Sequence, residues 1–479
     1  MNRITNRIKT YVVLSVLTSL LYACVPSKII REENKTTPHT FHNKSIDSTN
    51  TATIQWKEFF ADPNLISLID NALANNQELN IILQQIDIAK NEIKIRKGEY
   101  LPFVNAYAGV ETEKASKYTR NGAVEEQLNI HEDEKFPDPL NNFSAGISAS
   151  WEIDIWKKLR NGKKAAVFEY LSSIEGKNFM VTNLVSEIAN SYYELMALDN
   201  QLTIIEQSLQ LQKEAQKMIR LQKEAARATQ LAVSRFDAEV LKNKSSLYLI
   251  KQKIIETENK LNFLTGSYPK HIERNSDNFI NIAFDTIYTG VPSQLLVNRP
   301  DIRKAEYELS AAKLNTKIAR SNFYPSLDIK AGVGLSAFKP KYLTSAPESL
   351  VYSLAGDIVG PLINRNAIKA EYNTATNKQL QAIFEYEKTI LNAYIEVENE
   401  LSNIQNLKES FKLKEQQVNA LSESIDLSIR LFKSARAEYT EVLLTQREAL
   451  DAKIEIVETK RDQLLAAIKM YQALGGGWN

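Results

Sequence analysis

The chain has 479 residues, and its 59 Lys plus Arg stand against 58 Asp plus Glu, a formal net charge of +1. That balance excludes a general nucleic-acid binder, which carries a basic excess, and a single cysteine excludes internal disulfides and cysteine-rich metal sites. Hydrophobic residues at 43% and a mean hydropathy of −0.32 exclude both a disordered chain and a helical polytopic membrane protein. Only 15 Gly and 13 Pro are present, so long uninterrupted elements are expected.

In chain order, Arg3, Arg7 and Lys9 precede an apolar run from Tyr11 to Leu21, too short to span a bilayer comfortably as a helix. Small Ala23 follows, then Cys24, the sole cysteine. Residues 1–23 read as a signal peptide, and Leu21-Tyr22-Ala23-Cys24 resembles a bacterial lipobox. Cys24 is then the lipidated first residue of the mature chain, anchored to outer-membrane lipid through acyl chains (palmitate among them). Val25 follows in place of the Asp that often retains lipoproteins at the inner membrane. Residues 24–55 are polar and aperiodic and read as an extended tether.

The body occurs twice, as residues 56–266 and 293–479, joined by a connecting segment at 267–292. Lys94-Ile95, Pro102 and Gly109-Val110 recur as Lys317-Ile318, Pro325 and Gly332-Val333. Arg160-Asn161 recurs as Arg365-Asn366; Asn190, Tyr192 and Glu194 recur as Asn392, Tyr394 and Glu396. Ala226-Arg227-Ala228 with Val233 recurs as Ala435-Arg436-Ala437 with Val442. The first copy carries a longer insertion, from about Ser116 to Asn142.

Each copy reads helix, strand, loop, strand, very long helix, turn, long helix. Phe143, Ala145, Ile147, Ala149, Trp151 and Ile153 alternate with polar or glycine positions, as do Leu327, Ile329, Ala331, Val333, Leu335 and Ala337. About ten residues suits a membrane β-strand, although a soluble sandwich strand alternates in the same way. Four strands cannot close a barrel, and an open edge cannot sit in lipid. A barrel would have to be shared among copies. No Pro falls between Gly162 and Pro269, and neither Pro nor Gly between Pro361 and Gly475. A helix over 163–225 would run about 90 Å at ~1.5 Å per residue. Heptad-like Leu450, Ile454, Val457, Leu464, Ile468 and Tyr471, and likewise Phe411, Val418, Leu421, Ile425 and Phe432, predict helices that pack by a narrow stripe and keep a wet face.

Val291-Pro292-Ser293-Gln294-Leu295-Leu296, running into Arg299-Pro300-Asp301-Ile302 and Ala305-Glu306, resembles the signature that opens the second half of the TolC-like outer-membrane factors, in their lipoprotein branch. Trp56, Phe59-Phe60, Asp62-Pro63, Tyr100-Leu101-Pro102, Glu441-Val442-Leu443 and the terminal Ala473 to Trp478 support it. The resemblance implies a mainly α fold with membrane β: a homotrimer whose four strands per chain close a 12-stranded barrel, continuous with a long periplasmic helical barrel. It also implies the exit duct of a tripartite efflux pump, with a periplasmic adaptor and an inner-membrane transporter as partners. Such a duct is a passive conduit gated at its periplasmic end, with no enzyme activity, cofactor or metal. Glu441 falls where relatives place a gate aspartate, whereas Leu444 replaces another. Ala226, Arg227, Ala435 and Arg436 fall in the helix turns expected to meet the adaptor, where relatives commonly carry glycine. A periplasmic adaptor or a structural coiled-coil lipoprotein is the competing reading. The first would show one helical hairpin, and the second leaves the strands unexplained. His39, His42, His131 and His271 are scattered, no hydrolase or nucleotide motif occurs, and Glu132 with Glu134 lies in a solvated loop.

Overall fold

A computed structural model describes residues 30–41, 49–131, 134–284, 286–363, 365–434 and 436–478. Cys24 and the signal segment lie outside the described residues, as do His42, Glu132 and Ala435. The chain divides into two compact units. One takes Asp87–Leu171 and Tyr307–Ile383, with residues 30–32; the other takes Glu33–Ile86, Ser172–Glu306 and 384–478.

The first unit is built on a four-stranded antiparallel sheet. Strand β1 is Phe103–Glu113; β2 (Asn129–His131) and β3 (Glu134–Lys135) form a small separate hairpin; β4 is Leu140–Ile153, β5 is Ser326–Ala337 and β6 is Leu350–Val359. The order in the main sheet is β1-β4-β5-β6, so the two copies of the repeat meet at β4 and β5. The insertion read as a loop carries the β2–β3 hairpin and a helix at Arg120–Gln127, capped by Thr119. Its Glu134 pairs with Lys339 of the β5–β6 connection. The β6 segment, whose alternation is the weakest of the four, is a strand because β5 supplies ten residues of matched register.

Helices follow each sheet strand pair. They span Lys158–Glu224 and Gln230–Leu264 in the first copy, and Asn366–Lys433 and Tyr439–Ala473 in the second. The first starts five residues before the glycine-limited estimate of 163. Buried Asp154 accepts from the Leu159 and Arg160 backbone N–H groups at 3.1 and 2.9 Å, satisfying donors that every helix start leaves open. Pro63 and Pro300 each open a shorter helix, Pro63–Asn75 and Pro300–Ser321, where a missing N–H costs nothing.

The core of the second unit gathers Phe60, Leu65 and Ile69 with Leu184, Ile188, Tyr192 and Leu195 of the Lys158–Glu224 helix. Leu261, Phe279, Leu464, Ile468 and Tyr471 close it. Each such side chain, fully buried, contributes about 1.5–3 kcal/mol. Tyr471 stacks on Phe59 at 4.2 Å between centroids, and its hydroxyl donates to the Ile54 carbonyl at 2.6 Å. Here the narrow-stripe expectation fails. From Ile456 onward the last helix is buried around most of its circumference, Ala466, Ala467, Met470 and Ala473 included. Trp56, Phe59, Phe60, Phe279, Ile280, Ile282 and Phe284 belong to the same core cluster. The Asn366–Lys433 helix does keep the stripe, with Phe411, Val418, Leu421, Ile425 and Phe432 only partly buried.

Within the segment expected to be a tether, described residues 34–41 are fastened to their own unit. Phe41 stacks on Tyr394 at 5.5 Å, Lys35 pairs with Glu306 at 2.6 Å, and the Asn34 N–H donates to Glu387 at 2.8 Å.

Candidate functional site

Register fixes what the sheet offers on each side. On one side run the rows Val104–Ala149–Ala331–Leu354, Ala106–Ile147–Val333–Tyr352 and Ala108–Ala145–Leu335–Leu350, all apolar apart from one phenol hydroxyl. On the other run Asn105–Ser148–Gly332–Ser353 and Phe103–Ser150–Lys330–Ala355. The apolar side is uncovered within the chain: Tyr352 is 84% exposed and Leu354 79%. On the polar side Gly146 pairs with Gly334, and the Tyr107 hydroxyl lies over both, 2.9 and 3.0 Å from where a Cβ would stand. No larger residue fits beneath that ring. Strands β1 and β6 each have one unpaired edge, exposed along their whole length. Among the described residues no helix is long and apolar enough to cross a membrane.

The helix turns form the second candidate region. Ala226 adopts φ +57°, the left-handed conformation that costs a residue with a Cβ about 1–2 kcal/mol. The cost is met by two bonds that close the helix end. The Arg227 N–H donates to the Gln222 carbonyl at 2.8 Å, and the Ala226 N–H to the Lys223 carbonyl at 2.9 Å. Thr229 then caps the next helix through the Ala232 N–H at 3.2 Å. The second turn repeats the bond made by Arg227, here from the Arg436 N–H to the Leu431 carbonyl at 2.9 Å. Ile219, Ala232, Val233 and Phe236 form a small core to which Phe432, Tyr439 and Leu443 of the second hairpin add. Beside it Asp237 accepts from Arg220 and Gln216, both at 2.7 Å. The Arg220 guanidinium holds the Asp237 carboxyl below the usual carboxylate range.

Glu441 lies in the first turn of the Tyr439–Ala473 helix and is exposed; Leu444, one turn on, is 54% exposed. Arg227 and Arg436 are exposed at their turns. Val442, between the two gate candidates, is buried, so the helix turns Glu441 and Leu444 away from its own packing.

Two buried ion clusters escaped the sequence reading. Arg299 forks onto Asp301, with Nε to Oδ1 at 3.0 Å and Nη2 to Oδ2 at 2.7 Å, and its Nη1 donates to Glu396 at 2.6 Å and to the Ala473 carbonyl at 2.9 Å. Arg274 of the connecting segment holds Asp199 and Glu258, each at 2.6 Å at the nearest contact. The available signal was the repeat itself. Glu194 and Glu396 are equivalent, and each takes an arginine: Arg461 at 3.2 Å and Arg299.

An amphipathic antiparallel sheet with an uncovered apolar side, continued by helices of 67 and 68 residues, sets the class of fold to compare. The comparisons agree. Residues 68–267 and 291–476 match the outer membrane efflux protein model. The chain belongs to that family; its work is to let cargo out across the outer membrane, not to transform it. It is 28% identical over 431 residues to the pyoverdine export outer membrane protein OpmQ of Pseudomonas aeruginosa, covering 88% of this chain and 87% of that one. It is 25% identical over 423 residues to the cation efflux system protein CusC of Escherichia coli, covering 88% of each. The open-state structure of the MtrE outer membrane channel of Neisseria gonorrhoeae shares the fold, with a TM-score of 0.83 at 22% identity over 95% of this chain and 99% of that one.

Proposed function

We propose that three copies of this chain close one 12-stranded barrel and one helical tube, forming the exit duct of a tripartite efflux pump. The observation that carries this is the sheet: four strands, two unpaired edges and one uncovered apolar side. Lipid supplies no hydrogen bonds, so each edge must find another edge. β1 and β6 run antiparallel in the sheet order, so β6 of one copy can continue into β1 of the next around a ring. Apolar residues left exposed on the helices support the same assembly. Leu241, Tyr248 and Ile255 recur every seven residues on one helix, as do Phe384 and Leu391 on another.

Cys24 would carry the lipid that anchors the outer-membrane end. The turns at Ala226–Arg227 and Ala435–Arg436 would meet a periplasmic adaptor, which joins the duct to an inner-membrane transporter. Glu441 and Leu444, turned away from their own helix's packing, would ring the closed end: three carboxylates favouring cations beside an apolar constriction. OpmQ and CusC are named for different cargo, and from that we infer that cargo choice lies outside this chain.

The test is single-channel conductance in planar bilayers together with native mass spectrometry. A trimer with stable conductance is expected. A monomer that stays soluble without detergent, or a trimer that never conducts, overturns the reading. Charge reversal of both Arg227 and Arg436 should lower export and leave trimer assembly intact; normal export by that variant removes the adaptor assignment.

A further inference from the structure

The apolar side of the sheet ends on the row Ile153–Leu327–Ile358. At that end β1 and β5 begin and β4 and β6 stop, so four passages of chain join strands to helices there. The ten residues next to each strand are 93–102, 154–163, 316–325 and 360–369, all in the first unit. Together they carry eleven Lys or Arg against two carboxylates, Glu99 and Asp154. The chain as a whole is balanced, and the residues joining the strands at their other end, 114–139 and 338–349, hold six cations to seven carboxylates. Arg96 pairs with Glu92 and Glu99, Lys158 with Glu152 and Arg160 with Asp154. Lys97, Lys157, Lys317, Arg320 and Lys369 are exposed and make no ion pair among the described residues. The side-chain carboxylates outside the described residues, Asp47, Glu132, Asp133 and Asp285, fall in none of the four stretches. Lys90, Lys94 and Lys97 recur in the second copy of the repeat as Lys313, Lys317 and Arg320. Their spacing puts each triad on one helix face. Like charges so placed weaken a helix, yet both copies keep them.

We propose that this end of the sheet is a docking surface for the phosphates of anionic phospholipids, in the leaflet at the helix end of the strands. The inference rests on the reading that the apolar side meets lipid. Where an apolar side stops, a bilayer's headgroups begin. A long Lys or Arg stem can lie along the last apolar row and hold its charge at the phosphates. Trp151 marks the same level: it stands on the apolar side one row in, 37% exposed, its Nε1 donating to the Tyr100 carbonyl at 3.1 Å. An indole so placed suits the headgroup region. Solvation alone does not call for one sign, because mixed charges keep a helix face wet equally well. Charge of one sign gathered at one end complements an anionic surface, and each cation within a Debye length adds to the attraction. An acidic protein would answer the charge but not its position, which begins where the apolar rows end.

The experiment places the full-length protein in phosphatidylcholine nanodiscs with a minor share of phosphatidylglycerol. Native mass spectrometry then counts the lipids retained on release. Phosphatidylglycerol should be retained at least about fivefold above its share, since one cation near an anionic surface is worth about that factor. Raised salt should erase the enrichment. A variant combining Lys97→Gln, Lys317→Gln, Arg320→Gln and Lys369→Gln should lose it. One combining Lys114→Gln, Lys117→Gln, Lys135→Gln and Lys341→Gln, at the other end of the strands, should keep it. The head-group and salt series need no variant, so a folding defect in either leaves them readable. Enrichment that survives the first variant, or is lost in the second alone, overturns the proposal. So does enrichment erased by inorganic phosphate at constant ionic strength, which would mark a site for the free anion. Entry into the bilayer with no lipid preference overturns this proposal alone. A chain that enters no bilayer of any composition overturns the barrel reading with it.

Discussion

The guanidinium of Arg365 lies over the ring of Phe323, its central carbon 5.2 Å from the centroid. The other copy of the repeat does the same with Arg160 and Tyr100, at 5.8 Å. Each arginine also binds a carbonyl, Arg365 that of Phe323 at 3.0 Å and Arg160 that of Asp154 at 2.6 Å. The pairing fastens the end of the inbound helix to the start of the outbound one, on both sides of the strands. Arg365→Ala should loosen that junction by ~1–3 kcal/mol, the worth of a partly desolvated cation–π contact plus a charged hydrogen bond. Faster hydrogen exchange at 320–326 and 365–370, with the rest of the chain unaltered, is the expected reading.

Arg299→Ala leaves Asp301 and the Ala473 carbonyl without their buried donor. A loss of about 3–5 kcal/mol is expected, as for other broken buried pairs. Glu396→Gln should cost far less, ~1 kcal/mol or below, because the Glu396 side chain is 53% exposed and solvent screens it. Chemical denaturation monitored by the fluorescence of Trp478, which packs beside this cluster, compares the two.

Ala226→Gly relieves the left-handed strain but adds freedom to the unfolded chain, so a net gain of ~0.5–1 kcal/mol is expected. Ala226→Val should lose stability at the same turn. Thermal denaturation gives the sign, and a destabilised glycine variant would contradict the strain argument.

Asp237 supplies a pH dependence at the hairpin ends. Its folded pKa lies below the unfolded value of about 3.9, because Arg220 favours the carboxylate. The stability it lends is therefore present above that value and is lost as pH falls through the folded pKa. Amide exchange at 216–240 should accelerate below about pH 4 in the native protein. Asp237→Asn should exchange faster at neutral pH and show little further change on acidification.

Val333→Arg places a charge in the middle of the apolar rows and should cost the proposed barrel about 2–4 kcal/mol. Ser148→Lys, one row over on the polar side, should assemble normally. Trimer yield on native gels separates them. Equal yields would mean that the apolar side does not face lipid.

The strands and rods were readable because their signals are local and periodic. Ile147 sits two residues from Ala145 and Ala149, and no distant partner is needed to see the alternation. The turn at Ala226 was placed by its recurrence at Ala435, but its left-handed backbone was not foreseeable, since the residue there carries a Cβ and such residues rarely adopt it. The fork of Arg299 onto Asp301 and its reach to Glu396 join positions 97 apart; only folding brings them together. Lys460 is buried, and no pattern within 439–473 announces that. The proposed gate role of Glu441 and Leu444 would depend on other copies, and a single chain shows only that both side chains are exposed.

The bare edges of β1 and β6 make a newly exported copy hazardous to its own kind. Until a ring forms, each edge is a template that any extended peptide can extend, including the wrong strand of a sister chain. In the proposed assembly, closing the ring would have to outpace such mispairing, so assembly speed would matter alongside the stability of the finished ring.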